Sequence, residues 1–205
     1  MNTQRRRERY RSELRAETLS AARKLIEEEG YEGLTIRKLA QRMECSPMAL
    51  YTYFSDKQAL LLALAQEGFI KLAKRLESTA RRDPLAAVRK MLLDYIAYAE
   101  ENPVEYRILF MSVEPLAEVK KTRQDMQENN PAFSALFKCV ETCIKSGMLQ
   151  GDAFAISTVL WTGAHGAAAL LNTAQSFPFG NRQRYAEEVI ATILSGAQQR
   201  VIDGI

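Results

Sequence analysis

The stretch Thr35–Lys57, TIRKLAQRMECSPMALYTYFSDK, decides the fold. Its first part sets Ile36, Leu39, Ala40 and Met43 on one side of a short helix over 36–43. Glu44-Cys45-Ser46 then interrupts the pattern. Ser46 followed by Pro47 is a helix start: the hydroxyl accepts from a first-turn amide, and proline there sacrifices no helical hydrogen bond. A second helix over 47–53 turns Leu50 and Phe54 inward and leaves Pro47, Met48, Ala49, Thr52 and Tyr53 outward. Helices this short are marginal alone and persist only by packing on a third. Upstream, Leu14, Thr18, Ala21, Ala22, Leu25 and Ile26 form the stripe that can supply it, on a helix over 8–29 that Gly30 closes. Three helices around Leu25, Leu39, Cys45, Leu50 and Phe54 make a helix-turn-helix unit. A helical hairpin inside a core is the alternative, and two tyrosines and a threonine on the outward side argue against it.

That outward side suits duplex DNA. Ala49, and Pro47 at the helix start, let the backbone approach base edges in the major groove, with Ser46, Met48 and Thr52 beside them. Tyr51 and Tyr53 place hydroxyls within reach of flanking phosphates. Lys57 and Thr35 each sit at a helix start, where free amides hold a phosphate. Arg37 and Arg42 add positive charge beside the groove.

Working outward, the charge is uneven. The net +3 lies entirely in residues 1–57, with 12 Lys+Arg against 9 Asp+Glu, while the remainder balances at 16 against 16. Arg5, Arg6, Arg7, Arg9 and Arg11 face a single Glu8, which suggests a polyanion met by one end of the chain, through phosphate attraction or minor-groove contact. A solvated tail carries the same charge pattern.

Apolar residues recur at helical spacing almost throughout, so the chain reads as all-α with about nine helices. Beyond the first three they run near 56–81, 84–101, 103–112, 131–146, 153–174 and 183–202, and 115–128 also suits a helix. Asp83-Pro84, Asn102-Pro103 and Asn130-Pro131 repeat the cap-proline signal, and Asn102 with Glu105 and Ser55 with Gln58 fit the capping-box spacing. Gly147 and Gly151 bracket a turn after which Asp152 caps a helix. The organisation expected is a DNA-binding head over 1–56, a connecting helix over 57–83 and a body over 84–205.

Six prolines and ten glycines are too few for a disordered chain. Apolar runs such as Ala59–Ala65 fall short of a membrane span, no signal-type segment follows the arginines, and three cysteines at unpatterned spacing fit a reducing cytoplasm. No hydrolytic triad, metal-ligand set or phosphate loop is visible, and one histidine limits acid–base chemistry. An enzyme, a cofactor and a metal are therefore not expected.

The segment LTIRKLAQRMECSPMALYTYFSDKQAL resembles the N-terminal domain of the tetracycline-repressor (TetR) family, a likeness covering residues 14 to 64 and carried by L-Y-x-Y-F-x-x-K. The resemblance implies a homodimer on a palindromic operator, with the fourth helix joining the head to an effector-binding body. It also implies phosphate contacts at Thr35, Tyr51 and Lys57, and base-facing positions at Arg37, Pro47, Met48, Ala49 and Tyr53. The sequence departs from the family in its turn, where Glu44 stands in place of glycine. A left-handed residue there costs about 1 kcal/mol, so a looser turn is expected, with Glu44 opposing phosphate approach.

Leu160–Leu171, LWTGAHGAAALL, resembles the family subgroup named for a Trp-His-Gly element. The last helices of such proteins pair across a two-fold axis, which places Leu160, Gly163, Ala164, Gly166, Ala167, Ala168 and Leu170 at a dimer interface with Val189, Ile190, Ile193, Leu194, Ala197 and Val201. Intrachain packing is the plainer use of the same small residues. Tyr95, Tyr98, Tyr106, Phe110 and Met111 can line an apolar effector pocket with Phe133, Phe137 and Trp161, His165 being its polar contact. Taken singly, each reads first as core. Cys139 and Cys143 share a helix face, as buried thiols or a redox pair. The function expected is a ligand-responsive repressor released by a small apolar or aromatic effector. An architectural DNA binder without effector control is the alternative.

Overall fold

Helix α1 spans Asn2–Gly33, and its regular geometry breaks at Gly30 (φ 77, ψ 175), the residue expected to close it. The structure, a computed structural model, describes residues 2–77, 83–110, 122–174 and 176–203. The elements after α1 are α2 Ile36–Arg42, α3 Pro47–Tyr51, α4 Lys57–Glu77, α5 Pro84–Glu101 and α6 Pro103–Phe110. They continue with α7 Arg123–Asn129, α8 Pro131–Lys145, β1 Gln150–Gly151, α9 Ala153–Thr173, α10 Arg182–Gln198 and β2 Val201–Ile202. The fold is all-α, with ten helices and one two-residue strand pair among the described residues.

The chain packs as two units, Met1–Gly68 with Val104–Glu118 and Phe69–Pro103 with Val119–Ile205. In the first, Leu19, Leu25, Leu34, Leu39, Leu50 and Phe54 are buried. Each such side chain contributes about 1.5–3 kcal/mol, which is why helices of five and seven residues hold. Cys45, expected among them, is only half-buried. Val104–Phe110, expected in the body, instead groups with the head. The reasons are local: Leu109 packs so closely that a Cβ on Gly68 would lie 3.0 Å from its Cδ2, and Glu105 Oε1 lies 3.4 Å from Arg23 Nε. The chain therefore passes between the units more than once, not through the fourth helix alone.

In the second unit α9 packs against α5, α8 and α10. Ala164, Ala167 and Ala168 are buried on it, and a Cβ on Gly163 would meet Ile193 Cδ1 at 2.8 Å, so small residues set the close approach of α9 and α10. By length and composition α9 could cross a membrane, though 44% of its most apolar window is buried in the fold.

Capping follows the sequence at three of four prolines: Ser46, Asp83 and Asn130 accept from first-turn amides. Asn102 differs, its Nδ2 donating back to Tyr98 O (3.0 Å) to close α5. Glu105, expected as its capping-box partner, turns to Arg23 instead. At α4 the cap is Asp56, whose Oδ1 accepts from Ala59 N (2.7 Å), and Ser55 donates to that carboxylate. Of the helix expected over 115–128, Arg123–Asn129 forms behind a Thr122–Asp125 capping box, and 115–121 lie outside the described residues. The final helix, expected to reach 202, stops at Gln198, since Val201–Ile202 pairs in parallel with Gln150–Gly151. Gly151 (φ 127) makes that pairing possible, because a Cβ there would sit 2.1 Å from Ile202 O.

Candidate nucleic-acid interface

Helix α2 begins at Thr35, whose Oγ1 accepts from Lys38 N (3.2 Å). It ends in a Schellman motif: Glu44 N donates to Gln41 O (3.2 Å) and Cys45 N to Ala40 O (3.0 Å). Glu44 occupies the left-handed position at φ 52. The looser turn expected from its missing glycine is therefore not formed, because these backbone bonds and the buried residues on either side hold the tight one. Two residues on, Ser46 Oγ accepts from Ala49 N (3.2 Å) and starts α3.

This short helix divides its residues sharply. Leu50 is fully buried and Phe54, just after it, is 3% exposed, while Met48 is 73% and Tyr51 48% exposed. Thr35, Arg37, Ser46, Pro47 and Thr52 are exposed, and Ala49, Tyr53 and Lys57 half-buried. Thr52 Oγ1 donates to Ala49 O (2.6 Å). Of the ten residues named from the sequence, Ser46 to Ala49 and Tyr51 to Tyr53 lie on α3 or at its ends, Thr35 and Arg37 open α2, and Lys57 opens α4.

The cations around it differ in what holds them. Arg42 makes a two-pronged pair with Glu28 (2.6 and 2.5 Å), which raises the guanidinium and lowers the carboxyl from their ordinary values. Lys38 pairs with Glu29 (2.5 Å). Lys57 donates to Tyr31 O (3.0 Å) with its ammonium 4.4 Å from the Tyr31 ring centroid. Arg42, counted from the sequence as free charge beside the groove, is therefore compensated. Arg37 has no ion-pair partner among the described residues.

The sequence pattern gives no sign of a second charged cluster in the same unit. Arg23 pairs with Glu67 and approaches Glu105, which is only 8% exposed, tying α1, α4 and α6 together. Residue spacing cannot announce it, since the partners lie 44 and 82 positions away along the chain.

Elsewhere the expected sets separate. Tyr106 and Phe110 pack as a tilted ring pair in the first unit, centroids 5.1 Å apart, and Met111 lies outside the described residues. In the second, Tyr95 OH meets His165 Nδ1 at 2.8 Å and the Trp161 ring packs tilted against His165, centroids 5.4 Å apart. Burial lowers the His165 pKa, favouring its neutral form. Phe133 packs on Phe154 at 5.4 Å, Tyr98 is buried and Phe137 half-buried. Of the residues expected at a dimer interface, Leu160, Ala164, Ala167, Ala168, Ile190, Leu194 and Ala197 are buried within the chain itself, and Gly163 faces Ile193. Burial also pushes both thiols up, Cys143 to about 11, which keeps them protonated.

A short exposed helix seated by a tight turn on two others defines the helix-turn-helix class. Residues 19–64 match the family described as bacterial regulatory proteins, tetR family, and residues 88–193 match a tetracyclin repressor-like C-terminal domain. The chain belongs to the TetR family. It is 40% identical over 78 residues to the transcriptional repressor AcnR of Corynebacterium diphtheriae, covering 38% of this chain and 40% of the relative. It is also 50% identical over 48 residues to the class A tetracycline repressor from transposon 1721 of Escherichia coli, covering 23% and 22%. The chain thus spans about two fifths of the length of the first of these. A Rhodococcus protein of unknown function shares the fold with TM-score 0.75 and 25% identity, covering 91% of this chain and 96% of that one. A Haloarcula marismortui TetR regulator does so at 0.71 and 20%, covering 91% and 98%.

Proposed function

We propose that this chain is a ligand-responsive DNA-binding transcriptional regulator of the cytoplasm, a homodimeric repressor released by a small apolar or aromatic effector. One observation carries the reading: α3 exposes Met48 and Tyr51 while burying Leu50, so its outer side is built for contact and its inner side for support. Met48, Ala49, Thr52 and Arg37 read base edges in the major groove with Pro47 and Tyr53. Ser46 and the hydroxyls of Thr35 and Tyr51 take phosphates, as does Lys57, held in place by Tyr31. Two heads in a dimer reach successive major grooves about 34–36 Å apart.

The dimer face is drawn differently from the sequence expectation. Of the expected residues, Gly166 and Leu170 (48% exposed) are kept as the contact set on the outer side of α9, Val159 (38%) joins them, and the inward small residues are left out. The effector pocket is assigned to Tyr95, Trp161 and His165 with Tyr98, Phe133 and Phe137. An effector acts only through its preference for one head arrangement over another.

The test is an electrophoretic assay with the DNA flanking the chain's own gene. A specific complex at moderate salt is expected, and its absence overturns the repressor reading. Sequence-indifferent binding that no small molecule changes would favour an architectural protein instead.

A further inference from the structure

The basic end is helical, and that restricts what it can touch. Helix α1 starts at Asn2, so Arg5, Arg6 and Arg9 fall within one third of its circumference. All three are exposed. Arg9 pairs with Glu13 at 3.3 Å, but with side chains 79% and 59% exposed that pair is worth little and yields readily to a stronger anion. Over residues 2–12 five arginines meet one glutamate, so like charges repel along the helix.

Helix α1 itself passes the segment that follows α3, although the residue that touches it, Arg15, lies on another side of the helix from Arg5, Arg6 and Arg9. The Arg15 guanidinium sits 5.6 Å from the ring centroid of Phe54, three residues beyond the end of α3. A rise of about 1.5 Å per residue sets Arg9 roughly 9 Å and Arg5 roughly 15 Å along the axis from that contact. A helix with its side chains is about 10–12 Å across, whereas the minor groove is about 6 Å wide. The arm therefore cannot enter the minor groove as a helix.

We infer that the arginine face of α1 is a second nucleic-acid contact that tracks phosphates flanking the recognition site and carries no sequence information. The inference rests on the DNA-binding reading above and specifies the ligand chemistry as backbone phosphate. It replaces the minor-groove contact with a rigid electrostatic extension of the head.

The experiment uses the full chain carrying Arg5→Ala, Arg6→Ala and Arg9→Ala together, which retains helix-forming residues. Fluorescence anisotropy is recorded from low to moderate salt on duplexes of about four helical turns that contain the DNA flanking its own gene. Two versions differ only in A·T-rich or G·C-rich flanks. Each neutralised phosphate contributes about 0.9 to the slope of log affinity against log salt, so the slope falls by about 2–3 per head on both duplexes. An unchanged slope overturns the inference. A loss confined to A·T-rich flanks also overturns it, since that is minor-groove reading. Met48→Glu separates the two claims: if it leaves binding intact, the recognition-helix reading fails while the arm is still judged by its own slope.

Discussion

Glu44 and Gly147 hold the same place in the same motif. Each is the left-handed residue of a Schellman turn, at φ 52 after α2 and φ 74 after α8. Only the second has the residue that adopts this conformation without steric cost. Glu44→Gly is therefore expected to stabilise the protein by about 0.5 kcal/mol, strain relief outweighing the added freedom of the unfolded chain, and Gly147→Ala to destabilise it by about 1 kcal/mol. Denaturant midpoints of the two variants check this, and shifts of the same sign would refute it.

The exposed side of α3 predicts two kinds of binding defect. Tyr51→Phe removes a hydroxyl assigned to a phosphate and should weaken every DNA sequence alike, by about 1 kcal/mol. Substituting Ala49 should reorder site preference, by about 1–3 kcal/mol between best and worst bases. Competition binding over a set of variant duplexes distinguishes them. Uniform effects from both would misplace the recognition helix.

Arg23, half-buried, holds two carboxylates from separate helices, of which Glu105 is buried. Arg23→Ala leaves Glu105 without that cation and should cost about 2–3 kcal/mol, whereas Lys38→Ala, at an exposed pair, should cost less than about 1 kcal/mol. Urea unfolding of the two variants gives the comparison, and equal costs would show the cluster to be unimportant.

His165 makes stability pH-dependent. Burial lowers its pKa below the ordinary 6.5, so the unfolded chain binds a proton more readily than the folded one. Its contribution is complete above about pH 6.5 and is lost as pH falls from there toward the lowered folded value. His165→Gln should flatten unfolding free energy against pH between about 7.5 and 5.5 relative to the parent. Parallel curves would mean that the imidazole is not shielded in the fold.

Gly151→Ala should open the strand pair, since the new methyl would collide with Ile202 O. Loss of about 2 kcal/mol or more is expected, together with faster hydrogen exchange at the Asp152 amide, which donates to that oxygen (2.8 Å). Unchanged exchange would mean that the pair can shift to make room.

The legible parts of the sequence were those with local causes. Helix starts at Ser46, Asp83, Asn130 and Asp152 follow from a capping oxygen and the residues next to it. The inward Leu50 and Phe54 follow from periodicity. What escaped depends on partners distant in sequence. Whether Ala164 faces a neighbouring helix or a second chain is identical in composition and periodicity, and only its burial against the rest of the fold decides. Two-residue strands show no alternation, so Val201–Ile202 read as helix. Glu105 fitted a capping box by spacing, but a cation on α1 outcompeted the amide.

The division of labour within α3 also bears on how such a protein changes over time. The residues that seat the helix from inside, Leu50 and Phe54, share no position with Met48, Ala49 or Thr52. Replacements at solvent-facing positions usually alter stability by less than about 0.5 kcal/mol. A lineage can therefore exchange one operator for another by single steps without passing through an unstable ancestor. Duplicated copies would diverge in target long before they diverge in scaffold.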